Sequence, residues 1–199
     1  MIDKTSSLEE IHTYVWGTLA RGGADAKHPY HFPVMATSKQ NEAHQRTLVL
    51  RKVDIEKRLL LCYSDVRTQK VEDINQVQLS NWLFYNHQDK EQLRVRTRVV
   101  LYHQDELCRE IWNNIPPKNR ADYIGPMAPG SITESYTANL PDNYMESPTE
   151  ANTAQGWENF SVIECEVYEI DFLKLMKGGH LRALFSWKEN AWEHNWLAP

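Results

Sequence analysis

The feature that most restricts the fold is a run of alternating polarity between residues 93 and 102. Five apolar or threonine positions there alternate with three arginines: Leu93, Val95, Thr97, Val99 and Leu101 against Arg94, Arg96 and Arg98. A period of two residues is that of a β-strand with one buried and one exposed face. We therefore expect a sheet in which one face of this strand packs on a core.

Other segments share this strand character, and most of the turns between them are short. Strands are predicted over residues 44–53, 58–63, 78–85 and 160–170, and a closing hairpin over 180–196 turns at Glu189 and Asn190. About seven strands with a few helices favour a mainly β (α+β) barrel or sandwich over a doubly wound sheet.

Helical spacing is confined to a few segments. Helices are predicted over residues 7–20, 67–75 and 105–115, with a shorter piece over 119–123. Ser7 and Glu10 form a capping box, the pair Gly22 and Gly23 ends the first helix, and Asp105 caps the third. Residues 1–40 are expected to be a helix followed by a loop with Pro29 and Pro33, and residues 126–156 a long loop.

Composition places residues 1–199 in one globular domain. Hydrophobic residues make up 41% of the chain, which is enough for a core. The formal net charge of -5 disfavours nucleic-acid binding. No run of about 18 apolar residues predicts a membrane span, and residues 1–4 lack the apolar segment of a signal peptide.

The cysteines and histidines indicate a reducing compartment and no metal. Cys62, Cys108 and Cys165 are few and far apart, so we expect buried thiols in a cytoplasmic protein. His28 and His31 form an HxxH pair without a third ligand, so no metal site is predicted. The sequence also lacks GxGxxG, the P-loop motif and GxSxG.

Several short motifs follow one another from residue 44 to the C-terminus. They are RTLVLR (46–51), YSDVRTQK (63–70), QLRVRTR (92–98), IG (124–125), HLR (180–182) and WEHNWLAP (192–199). In this order and spacing they resemble the pyridoxamine 5'-phosphate oxidase family. The resemblance implies a split β-barrel that forms a homodimer and binds flavin mononucleotide (FMN) at the subunit interface.

The resemblance also implies which residues hold the FMN phosphate. Arg46 and Lys70 would bind it with the hydroxyl of Ser64, and Tyr63 belongs to the same motif. A phosphate dianion requires such convergent cations and donors. One position departs from the family, because Gln69 replaces an arginine and one charge is missing there, and Ser131 stands in for the family's serine of the loop.

Around the flavin ring, the resemblance implies donors from Arg51, Gln92 and Arg182, and an apolar contact from Leu173 in place of a tryptophan. Donors are needed there because reduction places negative charge around N1 and O2 of the flavin. Arg46 and Arg51 are five residues apart, so a regular strand directs their side chains to opposite faces. Both can reach one flavin only if the strand bulges or the ligand wraps around its end.

The substrate side of the site departs from the true oxidase. Where that enzyme has phosphate-binding residues, this chain has Asn114, Lys118 and Asp122, and Gly178 replaces a substrate-contacting arginine. His180 and Arg182 remain as candidate catalytic residues. We therefore expect an FMN-dependent oxidoreductase that acts on a different small molecule.

Three other functions remain open at this stage. The chain could be a non-catalytic FMN-binding module, such as a carrier or sensor. A haem-binding split barrel would use His180 or His194 as the axial ligand, although Arg46 and Lys70 favour FMN. A barrel without a cofactor would be consistent with Gln69 and Leu173.

Overall fold

The computed structural model describes residues 2–141 and 148–199. The strands in those residues form one antiparallel sheet: β1 (Val34–Lys39), β2 (Glu42–Thr47), β3 (Lys52–Asp54), β4 (Leu59–Asp65), β5 (Leu79–Asn86), β6 (Glu91–His103), β7 (Phe160–Lys174), β8 (Leu181–Lys188) and β9 (Ala191–Trp196). The α-helices are α1 (Leu8–Ala24), α2 (Gln69–Gln76), α3 (Glu106–Asn114), α4 (Pro117–Arg120) and α5 (Glu150–Thr153). Nine strands replace the seven expected.

Helix α1 begins where the sequence predicts and ends later. The side chain of Ser7 accepts from the backbone N–H of Glu10, and the Glu10 carboxylate accepts from the N–H of Ser7. Such a cap stabilises a helix by about 1 kcal/mol. The prediction that Gly22 and Gly23 end the helix is wrong, because it continues to Ala24. Gly22 instead allows a close approach to Tyr30, whose Cβ would lie 2.8 Å from a Cβ added there.

The predicted strand over residues 44–53 is wrong, since the chain forms two separate strands there. Strand β2 ends at Thr47 and pairs with β1, which lies in the segment expected to be a loop. Gln40 and Asn41 make the turn between them with φ of 51° and 68°. The irregular residues 48–51 connect β2 to β3, so strand alternation no longer relates Arg46 to Arg51.

Strand β7 organises the sheet. Strand β6 follows one edge of β7 along its whole length, while the other edge pairs first with β4 and then with β8. Residue Tyr168 is extra on β7, because Arg96 pairs with Glu169 and Thr97 pairs with Val167. Such a bulge bends a strand and reverses which residues face inward. It lies where the pairing with β4 ends and that with β8 begins.

Two apolar clusters fill the fold. The larger lies between the sheet and α1 and includes Val15, Leu19, Trp82, Phe84 and Phe172. The smaller lies beneath α3 and includes Trp112, Tyr123 and Phe160. Asp105 caps α3 as predicted, with its carboxylate accepting from the N–H of Cys108 at 2.8 Å.

Most of the remaining predicted elements are present, but the predicted long loop contains a helix. The strands and helices predicted from residue 58 to 123 are present, as is the closing hairpin, in which Glu189 and Asn190 have φ of 48° and 64°. The long loop predicted over 126–156 is interrupted by α5, and residues 142–147 of it lie outside the described part of the chain. None of the described helices is long and apolar enough to cross a membrane.

Candidate functional site

The turn from β4 into α2 brings a lysine and two hydroxyls together, here called the Lys70 cluster. The Lys70 ammonium donates to the Ser64 hydroxyl at 3.0 Å and to the Thr68 hydroxyl at 3.2 Å. Burial lowers the pKa of Lys70. No carboxylate of the described residues forms an ion pair with it, so its direct side-chain partners are neutral hydroxyls. A cation and two hydroxyls at the start of a helix suit a phosphate.

Next to this cluster, a buried carboxylate holds four polar side chains, here called the Asp73 network. Asp73 is fully buried, and its Oδ2 accepts from Thr37 at 2.6 Å and contacts His44 Nδ1 at 2.8 Å. Gln69 donates to Oδ1 at 3.1 Å, and Arg46 Nη2 lies 3.7 Å from Oδ2. Burial raises the pKa of Asp73, but these hydrogen bonds outweigh that effect and leave the pKa below its ordinary value.

The Asp73 network shows what the predicted phosphate residues do in this chain. Arg46 and Gln69 lie near the Lys70 cluster, as the motifs imply, and both are held by Asp73. Lys70 thus carries a local positive charge that forms no ion pair within residues 2–141 and 148–199. Sequence reasoning missed Asp73, although its place four residues after Gln69 on a helix puts the two side chains on one face.

Arg51 lies on the other side of β4, beside a small cavity. Its guanidinium carbon is 5.4 Å from the centre of the Tyr63 ring. The cavity has a volume of about 180 Å³ and is lined by Arg51, Tyr63, Asn114, Asn119 and Tyr123 among others. Because Tyr63 and Ser64 are consecutive in a strand, they face opposite sides of the sheet. Tyr63 therefore belongs with Arg51 and not with the Lys70 cluster.

The candidate substrate positions around this cavity are only partly assembled. Asn114 lines the cavity with Arg51, whereas Lys118 is exposed. Asp122 lines a neighbouring cavity with Arg67. Arg67 donates to the carbonyl of Gly125 at 2.9 Å and thereby ties the 126–141 loop to the β4–α2 turn. On that loop, Ser131 is exposed and its hydroxyl donates to the carbonyl of Ala128.

Gln92, Leu173 and Arg182 form a row across three strands, here called the Arg182 row. Leu173 on β7 pairs with Gln92 on β6 and with Arg182 on β8. Directly paired residues of antiparallel strands share one face of a sheet. Arg182 is held in place by Asp171, to which it donates at 3.1 and 2.9 Å, and Asp171 also pairs with Arg94. Three predicted flavin contacts are thus neighbours.

His180 lies in the turn before Arg182 and is exposed. Its Nδ1 accepts a hydrogen bond from the backbone N–H of Met176 at 3.2 Å, so the neutral ring carries its proton on Nε2. The other histidine considered as an axial ligand, His194, packs 4.8 Å from the ring of His12.

The predicted HxxH pair binds backbone atoms. His31 Nδ1 lies 2.7 Å from the carbonyl oxygen of Gly22, and His28 Nδ1 accepts from the N–H of Tyr30. Within residues 2–141 and 148–199, no group of three potential ligands could hold a metal ion.

The Lys70 cluster and the Arg182 row lie at opposite ends of β7. Ser64 pairs with Ser161 near the start of β7, and Arg182 pairs with Leu173 near its end. A strand between residues 161 and 173 spans roughly 40 Å when extended, although the bulge shortens the direct path. The two groups therefore lie far apart within one chain.

Comparison with known proteins agrees with this fold. Residues 15–103 match the family model "Pyridoxamine 5'-phosphate oxidase, FMN-binding domain". A pyridoxamine 5'-phosphate oxidase-related, FMN binding protein from Nostoc punctiforme PCC 73102 is similar with a TM-score of 0.70 and 20% identity, over 94% of this chain and 96% of that one. No curated protein matches the sequence significantly.

Two further solved structures have the same fold. PhzG from Burkholderia lata 383, in complex with tetrahydrophenazine-1-carboxylic acid, has a TM-score of 0.69 and 14% identity, over 99% of this chain and 95% of that one. A protein related to general stress protein 26 from Clostridium acetobutylicum has a TM-score of 0.56 and 9% identity, over 94% and 100%. The expected fold is confirmed: residues 15–103 match the model of this FMN-binding domain, and the chain shares the split-barrel fold of these pyridoxamine 5'-phosphate oxidase-related structures.

Proposed function

We propose that this protein is an FMN-dependent oxidoreductase that acts on a substrate other than pyridoxamine 5'-phosphate. The observation that carries the proposal is the Lys70 cluster, in which a partly buried ammonium has two hydroxyls as its partners. Holding a cation in this way costs free energy unless an anion completes the site. The family model that covers this segment is that of an FMN-binding domain.

The chain offers suitable contacts for each part of FMN. Lys70, Ser64 and Thr68 would hold the phosphate, with Arg46 and Gln69 positioned beside them by Asp73. The Arg182 row would hold the ring, with donors from Gln92 and Arg182 and an apolar contact from Leu173. When bound, the flavin supplies hydride transfer. The protein supplies binding, a positive charge near the ring and orientation of the substrate.

We further propose that the protein is a homodimer in which each flavin is bound by two chains. The separation of the two half-sites along β7 supports this arrangement, because the Lys70 cluster of one protomer can meet the Arg182 row of its partner. The outer face of β5 adds exposed apolar side chains, since Leu79, Leu83 and Tyr85 are 46%, 40% and 50% exposed. A monomer by light scattering would contradict this part of the proposal.

The cavity beside Arg51 supports a changed substrate. Amide side chains of Asn114 and Asn119 line it next to a single arginine. Asp122, in the neighbouring cavity, would repel a phosphate dianion. Turnover of pyridoxamine 5'-phosphate with kcat/KM of about 10⁴ M⁻¹s⁻¹ or more would contradict the proposed change. The three buried free thiols support a cytoplasmic location.

The first experiment tests the phosphate contact directly. The apoprotein is titrated with FMN and with riboflavin, which lacks the phosphate, and flavin fluorescence reports binding. Lys70→Met should weaken FMN binding about a hundredfold, as expected when a charge-assisted contact is lost from a partly buried site, and should leave riboflavin binding unchanged. The exposed Lys57 provides the control variant Lys57→Met.

The relative affinities for FMN and riboflavin test the proposal. FMN binding that is tighter than riboflavin binding and depends on Lys70 supports the proposal. Equal binding of FMN and riboflavin, or no binding of either, contradicts it. A protein that binds FMN but is reduced by none of the candidate substrates would favour the non-catalytic flavin module.

A further inference from the structure

A surface cavity lies where the turn between β7 and β8 meets the segment before α1. It has a volume of about 410 Å³, and its lining includes Lys4, Gly178, Gly179, His180, Arg182 and Trp196. This volume is within the range of small-molecule sites. All the ionisable residues of the lining are basic, and the lining contains no Asp or Glu.

Lys4 reaches this cavity across two glycines. Its ammonium donates to the carbonyl of Gly178. A Cβ added to Gly178 or Gly179 would lie 3.5 or 3.7 Å from Lys4 Nζ, so the ammonium lies where side chains at these positions would begin. Both glycines have positive φ, of 78° and 119°, which disfavours any side chain there. No carboxylate of the described residues pairs with Lys4, so two of its N–H groups remain for a ligand.

The other polar groups around the cavity are also donors. His180 uses Nδ1 as an acceptor for Met176, which leaves Nε2–H available. Arg182 uses Nε and Nη2 to bind Asp171, which also pairs with Arg94, and this leaves Nη1. Trp196 is 53% exposed and adds a flat apolar surface. The cavity thus has the ammonium of Lys4, which no described carboxylate pairs with, together with further donors and an aromatic wall.

We propose that this cavity binds a planar aromatic carboxylate, with Lys4 as the residue that binds the carboxylate and selects for it. One unneutralised ammonium matches a monoanion, and the exposed Trp196 ring offers a stacking surface for a planar ring system. The inference rests on the proposed function, because it names the substrate class of the same enzyme. Lys4 is therefore a specificity-determining residue outside the motifs shared with the family.

The test compares an acid with its uncharged isostere. The purified FMN-loaded protein is titrated by calorimetry with 2-naphthoate and with 2-naphthamide. The unmodified protein should bind the acid more tightly, and Lys4→Met should weaken binding of the acid about tenfold while binding of the amide is unchanged. Lys4→Arg should restore most of the preference. Lys27, which is also exposed, gives the matched control Lys27→Met.

The outcomes separate this inference from the proposed function. Equal affinities for acid and amide, no binding of 2-naphthoate, or an unchanged affinity in Lys4→Met would each overturn the role of Lys4. Thermal unfolding of each variant checks that the fold is retained. The same titration on protein that holds no flavin tests Lys4 independently, since failure to bind FMN would overturn the proposed function alone.

Discussion

The Lys70 cluster and the Arg182 row are built in different ways. The first comes from one short segment, residues 64–70, in which a strand, a turn and the start of α2 follow one another. The second combines three strands that are far apart in sequence and adjacent only through the register of the sheet. A local segment can be recognised from a motif, whereas a row across strands exists only after folding.

The carboxylates that support the two groups differ in burial. The Asp73 side chain is fully buried and has four polar partners, while the Asp171 side chain is 11% exposed and pairs with Arg94, which is 54% exposed. Ion pairs lose strength with exposure because water screens them. We therefore expect the Asp73 network to contribute more to stability than the pairs of Asp171.

The largest expected effect is that of Asp73→Ala. This change leaves Thr37 and His44 without their acceptor and Arg46 without its counter-charge, and Gln69 keeps only its bond to Glu72, so the free energy of unfolding should fall by about 3 kcal/mol. Urea denaturation measures it. Glu72→Ala is the control, because the neighbouring Glu72 side chain is 58% exposed and should change stability by less than about 0.5 kcal/mol.

A smaller loss is expected for Asp171→Ala. Its two arginine partners are partly exposed and can turn to water, so the free energy of unfolding should fall by about 1–2 kcal/mol. The same denaturation experiment applies, with Glu193→Ala at the exposed Lys188–Glu193 pair as the control. A loss equal to that of Asp73→Ala would show that the difference in burial between Asp73 and Asp171 does not determine how much each contributes to stability.

A third substitution tests whether the Arg182 row faces the flavin ring. Leu173→Trp would place an aromatic ring between Gln92 and Arg182, and its stacking should tighten FMN binding about fivefold. Fluorescence titration with FMN measures the affinity. Leu175→Trp, two residues further along, is the control and should leave the affinity unchanged. Weaker binding in Leu173→Trp would mean that this row does not face the flavin ring.

The smallest expected effect is the uptake of a fraction of a proton by the Lys70 cluster when FMN binds. The pKa of Lys70 is lowered by burial, and an anion beside it would raise the pKa again because it favours the charged form. FMN binding should therefore take up protons at alkaline pH, which calorimetry at about pH 9 in buffers of different ionisation enthalpy detects. Lys70→Met should abolish the uptake, and uptake that persists would assign the proton to another group.

The lowered pKa of Lys70 also makes the stability of the FMN-free protein depend on pH. Between the folded pKa of Lys70 and its unfolded value of 10.5, the unfolded chain binds more protons than the folded chain. Burial disfavours the charged form of Lys70 in the folded protein. The free energy of unfolding therefore rises as the pH increases through this interval.

The sequence predicted the parts of the fold that depend on local patterns. The capping box of α1, the alternation of β6 and the turn at Glu189 and Asn190 are all present. The hairpin of β1 and β2 was missed, because the proline-containing segment before it was interpreted as loop. Gln40 and Asn41 form its turn with positive φ, a conformation that asparagine accepts readily.

The motifs supplied most of the candidate site residues, and they did not reveal the residues that contact those candidates in the folded chain. Gln92, Leu173 and Arg182 are neighbours across three strands, and Ser64 and Lys70 are hydrogen-bonded to each other. Thr68 and Asp73 lie within or next to the motif and could have been found from helical spacing. Lys4 and Asp171 could not, because their partners lie in segments that only the folded chain brings near.

Local patterns in the sequence predicted most of the strands, the main helices and the motif that ends in Lys70, since these depend on neighbours a few residues apart. Only the folded chain shows that Asp73 holds Arg46, that Arg51 packs beside Tyr63 and that Lys4 reaches Gly178. Register, burial and charge pairing depend on segments remote in sequence. No local pattern encodes them, because their free energies arise only when those segments meet.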